Sequence, residues 1–150
     1  MKGFPVESQT KVSPDLDRSL VFDLAEQARL HGSSPAIFYY GAEISYDALW
    51  EQVRHLASHL KLRLGMRVGD RVSIDLQNSP HYIIAYYAVL LAGGIVVPLN
   101  PMYRADEVAV IVRNSGANIV IAAEDLLDRF TGWEGRIAAC HCCPLRFDVA

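Results

Sequence analysis

Cysteine is nearly absent. The chain of 150 residues has three, Cys140, Cys142 and Cys143, all in the run CHCC, so residues 1–139 contain none. No disulfide framework can tie the body together, and this usage suits a reducing compartment. After Lys61 there is no lysine, and Thr10 and Thr131 are the two threonines. Neither G-x-G-x-x-G nor G-x-x-x-x-G-K-[ST] occurs, so the sequence offers no glycine-rich loop whose N–H groups could converge on a phosphate. A G-x-S-x-G nucleophile elbow is missing too. Charge of one sign is also lacking: 14 Lys and Arg stand against 17 Asp and Glu, a net charge of −3. No stretch gathers the cations into a stripe that would neutralise nucleic-acid phosphates, and nucleic acid is set aside as a partner. The opening MKGFPVESQTKVSPDLDRSL has no apolar h-region, so a cytoplasmic location is expected.

A membrane-length apolar run is the last absence. Ile83 to Leu99 carries no charged or amide side chain, yet it falls short of the roughly 20 residues a spanning helix needs. Gly93 and Gly94 also break it, and Pro98 lies near its far end. As one helix it would lose about 1 kcal/mol for each glycine and about 3 for the proline. As two elements, those residues become punctuation. Ser79 caps a helix with Pro80 at its first position, Gly93 ends it in the left-handed conformation, and Ile95, Val96 and Val97 make a short β-branched strand.

The same logic organises the rest. Residues 1–18 read as a flexible lead-in. Ser19 caps a helix whose Leu20, Leu24 and Ala28 share a face, ending at Gly32. AIFYYGAEIS reads as a hairpin around Gly41. Ser45 caps a second helix with Leu49, Val53, Leu56 and Leu60 on one face, stopped by Gly65. RVSIDL is then a strand, Pro80 to Ala92 a helix, Ile95 to Leu99 a strand, Ala105 to Asn114 a helix and NIVIAA a strand. This β-α-β-α-β order predicts an α/β fold: a parallel, doubly wound unit with right-handed crossovers, preceded by helices and a hairpin. The middle strand, uniformly apolar, is expected to be covered on both faces. The first, which alternates Val72, Ile74 and Leu76 with Arg71, Ser73 and Asp75, is expected nearer an edge.

Such a sheet binds ligands at the carboxyl ends of its strands, here QNSPHY, NPMYRADE and AEDLLD, and none of the three is glycine-rich. His55 and His59 are four apart on a helix, but the Glu of H-E-x-x-H and a third ligand are missing, so both read as surface residues. His31 and His81, beside helix ends, read as structural. Cys142 and Cys143 are adjacent, whereas zinc sites separate paired ligands by two to four residues and draw on a second pair. Asp106 with Glu107, and Glu124 with Asp125, sit where helix N-termini are expected and complement the dipole there.

Taken together, SPAIFYYGAEISYDALWEQVRHLASHL followed by GMRVGDRVSIDLQNSPHYIIAYYAVLLAGGIVVPLNPMYRADEVAVIVRNSGANIVIA resembles the N-terminal part of AMP-forming acyl-CoA synthetases. These group with luciferase-like enzymes and peptide-synthetase adenylation domains in the adenylate-forming superfamily. The resemblance runs from about Ser19 to about Phe130, and its most specific parts are GDRV at 69–72, NSP at 78–80 and AGGIVVPLNP at 92–101. It implies a larger adenylate-forming domain that uses ATP, Mg²⁺ and CoA to activate a fatty or other carboxylic acid, and it allows peripheral membrane association. The family's phosphate loop, its aromatic-Gly-x-Thr-Glu segment, its ribose-binding aspartate and its C-terminal lysine have no counterpart here. Residue-by-residue transfer therefore assigns no catalytic, cofactor-binding or metal-binding position. The tail 131–150 does not resemble the family's continuation, and the expectation is a truncated, frame-disrupted or fragmentary copy, inactive alone and binding none of the cofactors. Two other classes are a non-catalytic α/β partner-binding module and a small metal-binding protein using the Cys/His tail.

Overall fold

Two serine hydroxyls start the first two helices. Ser19 Oγ accepts from the Phe22 N–H at 3.2 Å and Ser45 Oγ accepts from the Ala48 N–H at 3.2 Å, each satisfying a donor that the first helical turn leaves orphaned. The structure, a computed structural model, describes residues 19–141 and 146–149. Helix α1 spans Leu20–His31 and α2 Tyr46–Leu62. Between them, β1 (Pro35–Tyr39) and β2 (Ala42–Ser45) pair antiparallel. Their two-residue turn, Tyr40 and Gly41, has positive φ at both positions, 47° and 81°, as the right-handed strand twist favours. Helix α2 buries the predicted stripe of Leu49, Val53, Leu56 and Leu60 against α1 and α3.

The remaining elements are β3 (Arg71–Asp75), α3 (Pro80–Leu91), β4 (Ile95–Pro98), α4 (Ala105–Ser115), β5 (Ile119–Ala123), a 3-10 helix (Glu124–Phe130), β6 (Arg136–His141) and β7 (Arg146–Val149). Their strands form one sheet in the order β4-β3-β5-β6-β7, with the first four parallel and β7 antiparallel to β6. The period of two along β5 divides the core. Ile119, Ile121 and Ala123 pack with α2 and α3 on one face, while Val120 and Ala122 pack with Val108, Val112 and Phe130 on the other. Helices thus cover both faces, as the doubly wound expectation requires. Each fully enclosed Val or Ile, such as Val72, Ile74 and Ile121 at 0% exposure, contributes about 1.5–3 kcal/mol by leaving water.

Helix α3 ends as its glycines dictate. Gly93 takes φ of 87°, its N–H bonds Leu90 O at 3.0 Å, and the Gly94 N–H bonds Val89 O at 2.9 Å. This is the Schellman pattern, in which a left-handed residue lets two orphan carbonyls be satisfied. Ser79 and Pro80 occupy the predicted first positions, although the Ser79 side chain makes no capping bond. Among the described residues, no helix is long and apolar enough to cross a membrane.

Three features differ from the sequence-based expectation. Strand β3 is interior, paired with both β4 and β5, and Ser73 and Asp75 are fully buried. Its alternation marks two covered faces of different chemistry, not a wet face. Strand β4, expected to be covered on both faces, is the edge, with Ile95 47% exposed, because the connection through α4 carries the chain past β3 to its other side. Pro98, which lacks an N–H, is tolerable at such an edge. Finally, β6 extends the sheet beyond Phe130, and no strand was expected there.

Candidate functional site

The strand order places a topological switch point between β3 and β5. From β3 the chain goes one way, to β4, and from β4 it returns past β3 to β5 and on to β6. A doubly wound sheet opens its ligand crevice outside the carboxyl ends of such strands. Here that position is taken by an ion pair the sequence reading missed. Arg129 Nη1 lies 3.2 Å from Asp75 Oδ2, and Arg129 Nη2 donates to Pro101 O at 2.7 Å. One guanidinium therefore joins the end of β3, the turn after β4 and the 3-10 helix after β5.

The pair is largely enclosed, with the Asp75 side chain at 0% exposure and that of Arg129 at 20%. Asp75 Oδ1 is buried and has no hydrogen-bond partner among the described residues. Burial pushes the Asp75 carboxyl above the ordinary aspartate range, the Arg129 charge opposes the shift, and nearby Asp125 adds to it. A buried, partly satisfied carboxylate of this kind is held in place by its one cation. The signal in the sequence was a lone acid in an otherwise buried strand. Its partner lies 54 residues away, beyond the reach of any local pattern.

Beside the switch point, a recess of about 300 Å³ is lined by Leu76, Gln77, Asn78, Tyr82, Leu99, Asn100 and Pro101. Its polar groups are neutral amides and a phenol. Asn100 is already engaged in its own turn, with Oδ1 accepting from the Met102 N–H at 2.9 Å. On the α4 face, a groove of about 390 Å³ runs between Val112, Arg113 and Ala117 on one side and Arg129, Phe130 and Trp133 on the other. Both Nη atoms of Arg129 are committed elsewhere, and the exposed Arg113 lines the α4 groove opposite it.

The other sequence candidates stay apart. His55 is exposed, and His59 is half-buried with its Nε2 unpartnered among the described residues. His31 is exposed at the end of α1, and burial pushes the His81 imidazole below its usual range. Glu107 takes the expected role, its Oε2 accepting from the Arg104 N–H at 2.8 Å at the start of α4, and Asp106 lies in the same first turn. Glu124 and Asp125 open the 3-10 helix. Cys140 is buried in β6, while Cys142 and Cys143 lie outside the described residues. No group of three or more His, Cys, Asp or Glu that could hold a metal occurs among the described residues.

Comparison with known proteins locates this architecture. A family described as AMP-binding enzyme matches residues 24–143. A long-chain-fatty-acid–CoA ligase of Escherichia coli O6:H1 is 31% identical over 121 residues, which are 81% of this chain and 22% of the ligase. The tripeptide synthetase PhsC of Streptomyces viridochromogenes is 35% identical over 119 residues, 79% of this chain and 11% of the synthetase. Among solved structures, a protein of Rhodopseudomonas palustris provisionally designated a long-chain-fatty-acid CoA ligase superposes with a TM-score of 0.74 at 30% identity, covering 82% of this chain and 33% of that one. The chain thus spans about a fifth of the curated ligase it matches.

Proposed function

The chain belongs to the AMP-binding enzyme family, and from that premise we propose that it is the N-terminal scaffold portion of an ATP-dependent acyl-CoA synthetase. The reaction is the activation of a fatty or other apolar carboxylic acid in the cytoplasm. Its carboxylate oxygen attacks the α-phosphorus of ATP and expels pyrophosphate, and the CoA thiolate then attacks the acyl carbon and expels AMP. Adenylation makes this second step feasible by replacing a poor leaving oxygen with a good one. ATP and Mg²⁺ would supply that activation in the whole enzyme.

The residues present do not fit an ATP–Mg²⁺ site. The switch point holds a buried pair in which both Nη atoms of the arginine are engaged and the aspartate is desolvated, and the adjoining recess is lined by amides rather than cations. The observation that carries the proposal is this staple: Arg129 fixes the ends of three segments at the place where a doubly wound sheet presents its ligand. In this account the chain supplies a rigid floor and performs no bond-making step by itself. Pyrophosphate release from ATP, measured with a panel of carboxylic acids, is expected at background for the 150-residue chain, and acid-dependent turnover would overturn the proposal.

A second reading is a non-catalytic module that pairs with a partner through the open edge of β4, favoured by the exposure of Ile95 there. It predicts a defined complex on size exclusion when the partner is present, and a stable monomer otherwise.

A further inference from the structure

Two exposed patches of unlike character are joined to opposite ends of α2. The hairpin precedes its first turn. There Ile37 and Ile44 stand in register and pack on the core, so Phe38, in register with Glu43, shares the outward face with that exposed carboxylate. Phe38 is 71% exposed and Tyr40 94%, and the Tyr39 and Tyr40 rings meet edge to face at 4.6 Å. Tyr40 also holds φ of 47°, where asparagine or glycine costs the backbone less. A tyrosine that strains its turn while its ring stays in water points to a use outside the fold. Asp47, in the first turn of α2, is exposed beside the hairpin, and Arg29, in the last turn of α1, is paired with Glu26 at 2.7 Å.

The second patch follows the last turn of the 17-residue helix, about 26 Å along its axis. Residues 61–71, KLRLGMRVGDR, lead there to the amino ends of the parallel strands. Leu64 and Met66 root this rim in the core at 6% and 4% exposure, while Leu62 and Val68 stand outward at 80% each. Lys61, Arg63, Arg67 and Arg71 flank them and are exposed. The rim's acid, Asp70, is engaged: it accepts from the Arg67 N–H at 2.9 Å and lies 3.4 Å from Arg136 Nη2.

We propose that the hairpin of one molecule docks on the rim of a second copy of this chain, with Phe38 and Tyr40 against Leu62 and Val68, and Arg63 and Arg67 against Glu43 and the aromatic faces. Each patch holds what the other lacks. The hairpin has rings and a carboxylate; the rim has aliphatic side chains and cations whose own acid is occupied. Docking removes from water the apolar side chains that the fold leaves exposed on both. It also sets arginines over aromatic rings and opposite an acid, an arrangement that selects this partner by charge. A polyanion would satisfy the rim's cations and leave the hairpin, with its acids, unpartnered. Because the patches differ, every contact joins the hairpin of one copy to the rim of another.

The test is analytical ultracentrifugation of the 150-residue chain over a concentration series at low and high salt. The parent is expected to associate as concentration rises, and less so at high salt. Tyr40→Asn and Arg67→Gln should each weaken association about two- to fivefold. Tyr40→Asn also relieves the turn, so it should melt higher while associating less, an opposition that a purely structural tyrosine would not show. Met102→Ser, at an exposed apolar residue outside both patches, should leave association unchanged. The decisive arm mixes a hairpin variant, Phe38→Ser with Tyr40→Asn, and a rim variant, Leu62→Ser with Arg67→Gln. Each alone should stay monomeric where the parent associates, and the mixture, holding one intact hairpin and one intact rim, should form a pair and nothing larger. Circular dichroism confirms that each variant is folded, and the single variants Tyr40→Asn and Arg67→Gln serve if a double variant is not. A parent that stays monomeric up to about 1 mM, folded variants that associate like the parent, or a mixture that stays monomeric would each overturn the proposal. None of these readouts depends on adenylation activity.

Discussion

Two aspartates at the ends of β3 sit in environments of opposite effect. Asp70, just before the strand, accepts from the Arg67 N–H and then from Arg136, and these bonds hold its carboxyl below the ordinary aspartate range. Its contribution to stability is therefore present above the ordinary carboxylate pKa and is lost as pH falls through its lowered value. Asp75, at the far end, is raised chiefly by burial. Its titration stabilises the fold most below the ordinary aspartate value, and that contribution is lost as pH rises through the raised one. Comparison with the Asn variants checks both signs: the deficit of Asp70→Asn should shrink on acidification, while wild type should gain on Asp75→Asn. Removing the cation from the buried pair has the largest effect. Arg129→Met leaves a desolvated carboxylate uncompensated and should cost roughly 3 kcal/mol at neutral pH, measured by urea denaturation, with part of the loss recovered in acid. The role of Asp75 was not legible in the sequence, because its arginine lies 54 residues away, whereas Asp70 rests first on the Arg67 N–H three residues before it.

Elements were far more legible than their neighbours in space. The caps at Ser19 and Ser45, the α2 stripe, the Gly41 hairpin and the glycine-ended α3 all rest on local chemistry, and all appear where local chemistry puts them. The α3–β4 junction is the sharpest case. A Cβ on Gly93 would be strained by the left-handed backbone and meet Val68 at 3.0 Å, and one on Gly94 would lie 3.1 Å from the Asp70 carbonyl oxygen and 3.0 Å from Val89. Gly93→Ala should destabilise by about 1–2 kcal/mol and Gly94→Ala by about 1–3, both read from thermal melts. The hairpin turn offers the converse. Tyr40 is 94% exposed with φ of 47°, a conformation that asparagine tolerates better, so Tyr40→Asn should raise stability by about 0.5–1 kcal/mol. Strand order was not legible, since the alternation in β3 and the apolar run in β4 report how many faces are covered and not which neighbour pairs. The 3-10 helix and β6 were missed because EDLLDRF is too short for a helical period and RIAACH follows a glycine- and tryptophan-containing turn.

At the scale of the whole molecule, the two ends of the sheet differ in chemistry. The carboxyl end is braced by Arg129 and lined by amides, and the amino end carries exposed cations with aliphatic tips. What the family match adds is context. The chain spans about a fifth of the curated ligase it matches. The central claim is that ATP is handled by other residues of such an enzyme. Its most direct test is an amide-resolved NMR titration of the 150-residue chain with ATP and Mg²⁺. The account predicts no saturable shifts at Gln77, Asn78, Asn100 or the Arg129 side chain; a saturable set of shifts converging on those groups would contradict it.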